Sequence, residues 1–193
     1  MVILVIGLVL FLGVHSVRIF AEPWRRATIA RVGEGKWKGL YSLLSIAGFV
    51  LIVWGYGLAR QDPVVLWTPP TAMRHVASLL TLVAFVLLFA AYVPRNGIKS
   101  RVHHPMVLAV KVWAFAHLLS NGTLADLLLF GGFLAWAVLD FRAARARDRA
   151  AGTVYAPGSL AGALAAVAVG TAGWAAFAFW LHAAWIGVAP FGV

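Results

Sequence analysis

Six stretches of this chain run for about 20 residues or more with almost nothing but apolar side chains, each closed by a turn signal or a basic residue. An α-helix needs about 20 such residues to cross the hydrocarbon of a bilayer. The stretches run roughly over Val2–Ala21, Gly39–Leu58, Met73–Val93, His104–Asn121, Leu124–Phe141 and Ser159–Val188. Between them stand Glu22-Pro23, Asp62-Pro63 with Pro69-Pro70, Pro94 through Gly97, Asn121-Gly122, and Gly152 to Pro157, all combinations that stop a helix or turn the chain. Composition excludes the soluble alternative. With 63% hydrophobic and 11% charged residues among 193, there are too few charges to clothe a water-soluble domain. The expected fold class is all-α: a polytopic integral membrane helical bundle of about six transmembrane helices, one domain over residues 1–193, with the lipid bilayer as its first partner.

The net charge of +10 raises the question of nucleic acid. The basic residues, however, fall between apolar spans, where membrane topology accounts for them, and no nucleic-acid partner is expected. Arg25, Arg26, Arg31, Lys36 and Lys38 follow the first span. Arg95, Lys99 and Arg101 follow the third, and Arg142, Arg145, Arg147 and Arg149 the fifth. Only Arg60 and Arg74 lie in the second connection. Cytoplasmic connections are the basic ones, so both termini are expected on the periplasmic side of a bacterial inner membrane. The first span has no basic residue before it and is read as a retained helix, not a cleaved leader. The arginine run from Asp140 to Gly152 is read as a helix end in the headgroup layer. There is no cysteine, which removes thiolate metal sites, disulfides and a cysteine nucleophile. No glycine-rich phosphate loop, HExxH zinc motif or serine-nucleophile elbow occurs.

Chemistry should sit where polar groups enter the spans, because they are costly there and rarely idle. His15 lies inside the first span, with Phe11 four residues before it and Arg18 three after. Arg18 is close enough to the end to extend into the headgroups. His15 is either a neutral imidazole donating to a neighbouring carbonyl, or a ligand or proton relay. The fourth span carries more: His103 and His104 before Pro105, then Lys111, His117 and Asn121. Proline suits a first helical turn, which places His104 at or beside the N-cap. A lysine as deep as Lys111 calls for a carboxylate, a cofactor propionate or a lowered pKa. Asp126 is a possible charge partner, though near the other surface. Asn121 either caps its helix or faces a site. His75 is read as interfacial and His182 as a satisfied histidine. In the last span, Gly158 with Gly162 and Gly170 with Gly173 allow close helix approach. Two histidines on different helices are a natural way to hold haem b, although spacing alone equally allows another metal or none.

The segments LFLGVHSVRIF, ARVGEGKWKGLYSLLSIAG and HHPMVLAVKVWAFAHLLSNG together resemble the NnrU family of bacterial membrane proteins. The resemblance covers most of the chain and implies an association with nitrite and nitric oxide reduction. It extends to zeta-carotene isomerase, an integral membrane enzyme that uses haem b to convert a 15-cis double bond. That similarity implies His15 and His117 as axial iron ligands and aligns His104 with the histidine of an HP motif. Lys111 and Arg18 are the cations at hand for haem propionates. It also implies an isomerase-like, redox-controlled reaction on a hydrophobic polyene. A non-enzymatic alternative is an accessory factor that helps a respiratory nitrogen-oxide reductase assemble. A weaker resemblance is to membrane S-adenosylmethionine-dependent methyltransferases with an RHPxY motif. Here His103 replaces the arginine and Val107 the tyrosine, and the acidic and arginine-rich cofactor segment is missing.

Overall fold

Backbone N–H and C=O groups find no water inside a bilayer, so a spanning segment must pair them within itself. The computed structural model, which describes residues 1–191, is helical along every apolar stretch. In chain order the elements are α1 (Val2–Phe20), α2 (Glu22–Val32), α3 (Glu34–Ala59), α4 (Ala72–Ala90), α5 (Gly97–Val102), α6 (Pro105–Ser120), α7 (Leu124–Ala150) and α8 (Leu160–Ala176). A π-helical turn, Phe177–Leu181, then leads into α9 (His182–Ile186). The fold class is all-α. Helices α1, α3, α4, α7 and the run Leu160–Ile186 are long and apolar enough to cross a membrane. The remaining expected span, α6, is apolar but only 16 residues long, about 24 Å at helical rise. The protein is a multi-pass membrane protein, and its apolar helices contact the bilayer.

The basic segment after the first span is itself helical. Pro23 sits in the first turn of α2, where its missing N–H costs nothing. Glu22 pairs there with Arg25 at 3.3 Å and Arg26 at 3.0 Å. Burial pushes the Glu22 carboxyl up, but the Arg26 hydrogen bond and the charges of Arg25, Arg26 and Arg18 outweigh it and hold the group below its usual range.

The chain divides into two compact units, Met1–Trp67 with Gly122–Ala143, and Thr68–Asn121 with Ala144–Val193. In the first, α1 packs along α3 through glycines. A Cβ on Gly48 would sit 2.8 Å from the Phe11 backbone N, and one on Gly55 would sit 2.6 Å from Leu4 Cα. Helices in lipid gain no hydrophobic energy from meeting, so close backbone contact supplies the attraction. The same unit ties its irregular backbone together. Leu66 and Trp67 N–H donate to the Gly122 carbonyl, and Leu124 N–H donates to that of Val64. Residue 123 then starts α7 with a reciprocal cap: Thr123 N and Oγ1 donate to Asp126 Oδ2 at 2.9 and 2.7 Å, while Asp126 N donates back to Thr123 Oγ1 at 3.2 Å. This is the capping-box arrangement.

In the second unit α8 lies against α4. A Cβ on Gly170 would meet Val86 Cα at 2.6 Å and one on Gly173 the Phe89 ring at 2.7 Å, so this expected pair is a close helix approach, whereas Gly158 and Gly162 crowd the backbone of Arg95 and Asn96 in the connection before α5. Trp174 Nε1 donates across to Thr81 Oγ1 at 3.2 Å. Asn96 is 2% exposed and organises the connection before α5. Its Nδ2 donates to the carbonyls of Ala90 and Val93, and its Oδ1 caps the N–H of Lys99.

Candidate functional site

The first unit gathers aromatic rings around His15. Its imidazole stacks on Phe11 at 4.1 Å between centroids, with Tyr41 at 5.3 Å and the Trp136 ring edge-on at 6.0 Å. Phe49 and Phe133 close in on Phe11 from α3 and α7. His15 Nδ1 donates to the Phe11 carbonyl at 2.7 Å, the first of the two options that its sequence position left open, and one that leaves its other ring nitrogen outside that bond. A carbonyl only accepts, so the ring proton is on Nδ1 and the basic lone pair is on Nε2. Beside it, Trp136 Nε1 is buried with no acceptor among the described residues. An orphaned buried donor costs about 1–3 kcal/mol and marks a place where an acceptor belongs.

On α6, His117 repeats the same arrangement. Its Nδ1 donates to the Trp113 carbonyl at 2.9 Å, and the two rings lie 5.1 Å apart. The proton is again on Nδ1 and the lone pair on Nε2, the state in which histidine binds a metal while its other nitrogen is held by a carbonyl. Asn121 takes the capping option, donating from Nδ2 to the His117 carbonyl at 2.8 Å. Lys111 is half-buried between His104 and His117 along α6, and it has no ion pair among the described residues. Asp126 is engaged elsewhere. Besides capping α7 it accepts from the Tyr56 hydroxyl at 2.6 Å. Arg18 stands exposed in the last turn of α1, where a cation is favoured by the helix dipole.

At the other end of α6 the two adjacent histidines enter one cluster. Val102 carbonyl accepts from His104 N–H at 2.9 Å, across His103 at φ 69°, ψ −54°. This is a γ-turn of the strained, positive-φ kind, uncommon for any residue with a side chain. His104 is the N-cap of α6, as Pro105 implied. Its Nε2 donates to Asp148 Oδ2 at 2.7 Å, the same oxygen that accepts from the Tyr155 hydroxyl at 2.8 Å. The His103 ring stacks on Tyr155 at 4.0 Å and accepts at Nδ1 from the Arg145 guanidinium. Burial, then the hydrogen bond to Asp148 and that carboxylate's charge, push the Tyr155 phenol above its ordinary value.

His75 is exposed near the start of α4, and His182 donates to the Val188 carbonyl at 2.7 Å. Sequence reading missed Asp148, Tyr155, Arg145 and Trp136. Asp148 and Arg145 lie in an arginine-rich run whose composition signals only the headgroup layer. The approach of Asp148 to His104, 44 residues away, has no local signature. Among the described residues no three His, Cys, Asp or Glu side chains converge to hold a metal ion. A haem brings its own four nitrogens and asks the protein for only one or two. His15 in the first unit and His117 in the second are each an imidazole of the kind such a group takes as a ligand, and the orphaned Trp136 N–H lies in the aromatic cluster around His15.

None of the curated proteins and none of the solved structures compared with the chain matches it. A sequence profile described as NnrU protein matches residues 3–190. With nearly the whole length covered, the chain belongs to the NnrU family.

Proposed function

We propose that this NnrU-family protein binds haem b in the bacterial inner membrane, with His15 and His117 as the residues that would hold it, and serves nitrite or nitric oxide reduction or an isomerase-like redox-controlled reaction on a hydrophobic polyene. One observation carries the reading. Both intramembrane histidines give their Nδ1 proton to the carbonyl four residues earlier, which fixes the tautomer, orients the ring and leaves Nε2 as the basic nitrogen. When bound, the group would supply a redox-switchable Lewis acid. The chain's own contribution is positional. Phe11 stacks on His15 and orients its ring, Trp136 Nε1–H offers a hydrogen bond to an acceptor in the same cluster, and Lys111 is a cation available for a carboxylate. The distribution of lysine and arginine supports cytoplasmic connections after the first, third and fifth expected spans, with both termini periplasmic.

The test is the absorbance spectrum of the detergent-purified full chain, oxidised and reduced, with haem extracted and quantified. Near-stoichiometric haem with a low-spin b-type spectrum, lost in His117→Ala and altered in His15→Ala, is the expected result. Unchanged haem content and spectra in both variants overturn the ligand assignment. A colourless protein after expression with ample haem overturns the cofactor, and co-purification with reductase subunits would then favour an accessory role.

A further inference from the structure

The γ-turn cluster borders a half-open cavity of about 150 Å³, lined by His103, Arg145, Arg149, Thr153 and Tyr155 together with Asp148 and Gly152. Its charge does not balance. Asp148 is the one acid on the wall, and its Oδ2 is already taken by His104 and Tyr155, with Arg145 Nη1 at 4.0 Å. Arg149 has no ion pair among the described residues, and it sits four residues after Arg145 on the same helix. Like charges at that spacing repel, and with Arg145 shared with Asp148 and Arg149 exposed, an anion between the two guanidinium groups would relieve that repulsion.

Size selects the class. Liquid water occupies about 30 Å³ per molecule, so the cavity has the volume of about five waters. That is room for one oxyanion group, and below the roughly 300 Å³ at which drug-sized or cofactor-sized pockets begin. Guanidinium forks match carboxylate and phosphate alike. A phosphate group has oxygens enough to meet two forks at once, whereas a carboxylate has two oxygens and suits one. The cluster is also built before any ligand arrives. Stacking on Tyr155 and the Arg145 hydrogen bond hold His103 in its strained backbone state, and strain of this kind persists where the surroundings over-determine it.

We infer that this cavity at the α5–α6 turn is a binding site for a phosphate-class oxyanion, clamped by Arg145 and Arg149 with the Thr153 hydroxyl on its wall. The site is independent of the haem reading. Its ligand is either the headgroup of an anionic lipid, supplied from the membrane surface beside the end of α7, or a soluble phosphate.

The experiment follows thermal unfolding of the full chain in a neutral detergent by tryptophan fluorescence. Titrations use inorganic phosphate and, separately, short-chain phosphatidylglycerol, each against sodium chloride at matched ionic strength. The wild type should be stabilised in a saturable manner by at least one of the two, with the midpoint shifted at least tenfold in R149Q and R145Q. A response to phosphatidylglycerol alone assigns the site to a lipid headgroup, and a response to inorganic phosphate as well assigns it to the soluble ion. Failure of both ligands to stabilise the wild type overturns the proposal, as does an unshifted midpoint in the variants. Arg149 is exposed and outside the His103–Tyr155 stack, so R149Q decides the matter alone if R145Q does not fold.

Discussion

Trp136 stands edge-on to His15, ring planes at 89°, and its indole N–H is buried without an acceptor among the described residues. This gives a prediction with opposite signs in two states. In protein without ligand, Trp136→Phe removes an orphaned donor and should leave thermal stability unchanged or raised, the donor's cost being about 1–3 kcal/mol. In protein loaded with the proposed haem, the same substitution should lower retention, measured as haem per protein after dilution. A variant that destabilises the unloaded protein by more than about 3 kcal/mol would show that the ring's packing dominates instead.

The α1–α3 contact depends on Gly48. Gly48→Ala places a methyl 2.8 Å from Phe11 N and should cost about 1–3 kcal/mol as the helices part. Gly57 on the same helix has nothing within 4 Å, so Gly57→Ala should be neutral or stabilising by about 0.5–1 kcal/mol. Denaturation of the two variants in detergent, side by side, checks both. Equal effects would rule out close approach as the cause.

Asp126 ties α3 to the start of α7. Tyr56→Phe removes a hydrogen bond to a carboxylate that is 4% exposed and should cost about 1.5–3 kcal/mol. Thr123→Ala should cost about 1 kcal/mol as a lost cap. Because both act through one carboxylate, the double variant should deviate from the sum by about 0.5 kcal/mol or more. Strict additivity would refute the shared network.

The topology reading predicts that a periplasmic reporter enzyme fused after Gly35 or Ala150 is inactive, and that one fused at the C-terminus is active. Activity at either internal site reverses the orientation.

Much of this was legible in the chain. The spans could be read because lipid enforces length and apolarity together, and His104 as N-cap could be read because Pro105 marks the helix's first residue. What stayed hidden depends on residues far apart or on rules that sequence does not expose. Positive φ is a glycine signature, so nothing in His103-His104 announces a γ-turn. Glu22–Val32 reads as a basic connection because its charges surround it on all sides, yet its acid and arginines pair along a helix. Gly7, Gly48 and Gly55 lie at close contacts but are ordinary members of apolar runs. The extra-wide turn at Phe177–Leu181 interrupts a sequence with no proline or polar residue to mark it.

The brevity of α6 changes what Lys111 means. At 16 residues the helix is about 6 Å shorter than the roughly 30 Å hydrocarbon it faces, a mismatch met by local thinning of the bilayer or by flanking residues reaching outward. Lys111 is six positions after Pro105, so its backbone lies only about 9 Å from that end, and helical side chains lean toward the N-terminus. Its ammonium therefore reaches toward the side of His103 and His104, where an acidic group arriving along the membrane surface would meet it.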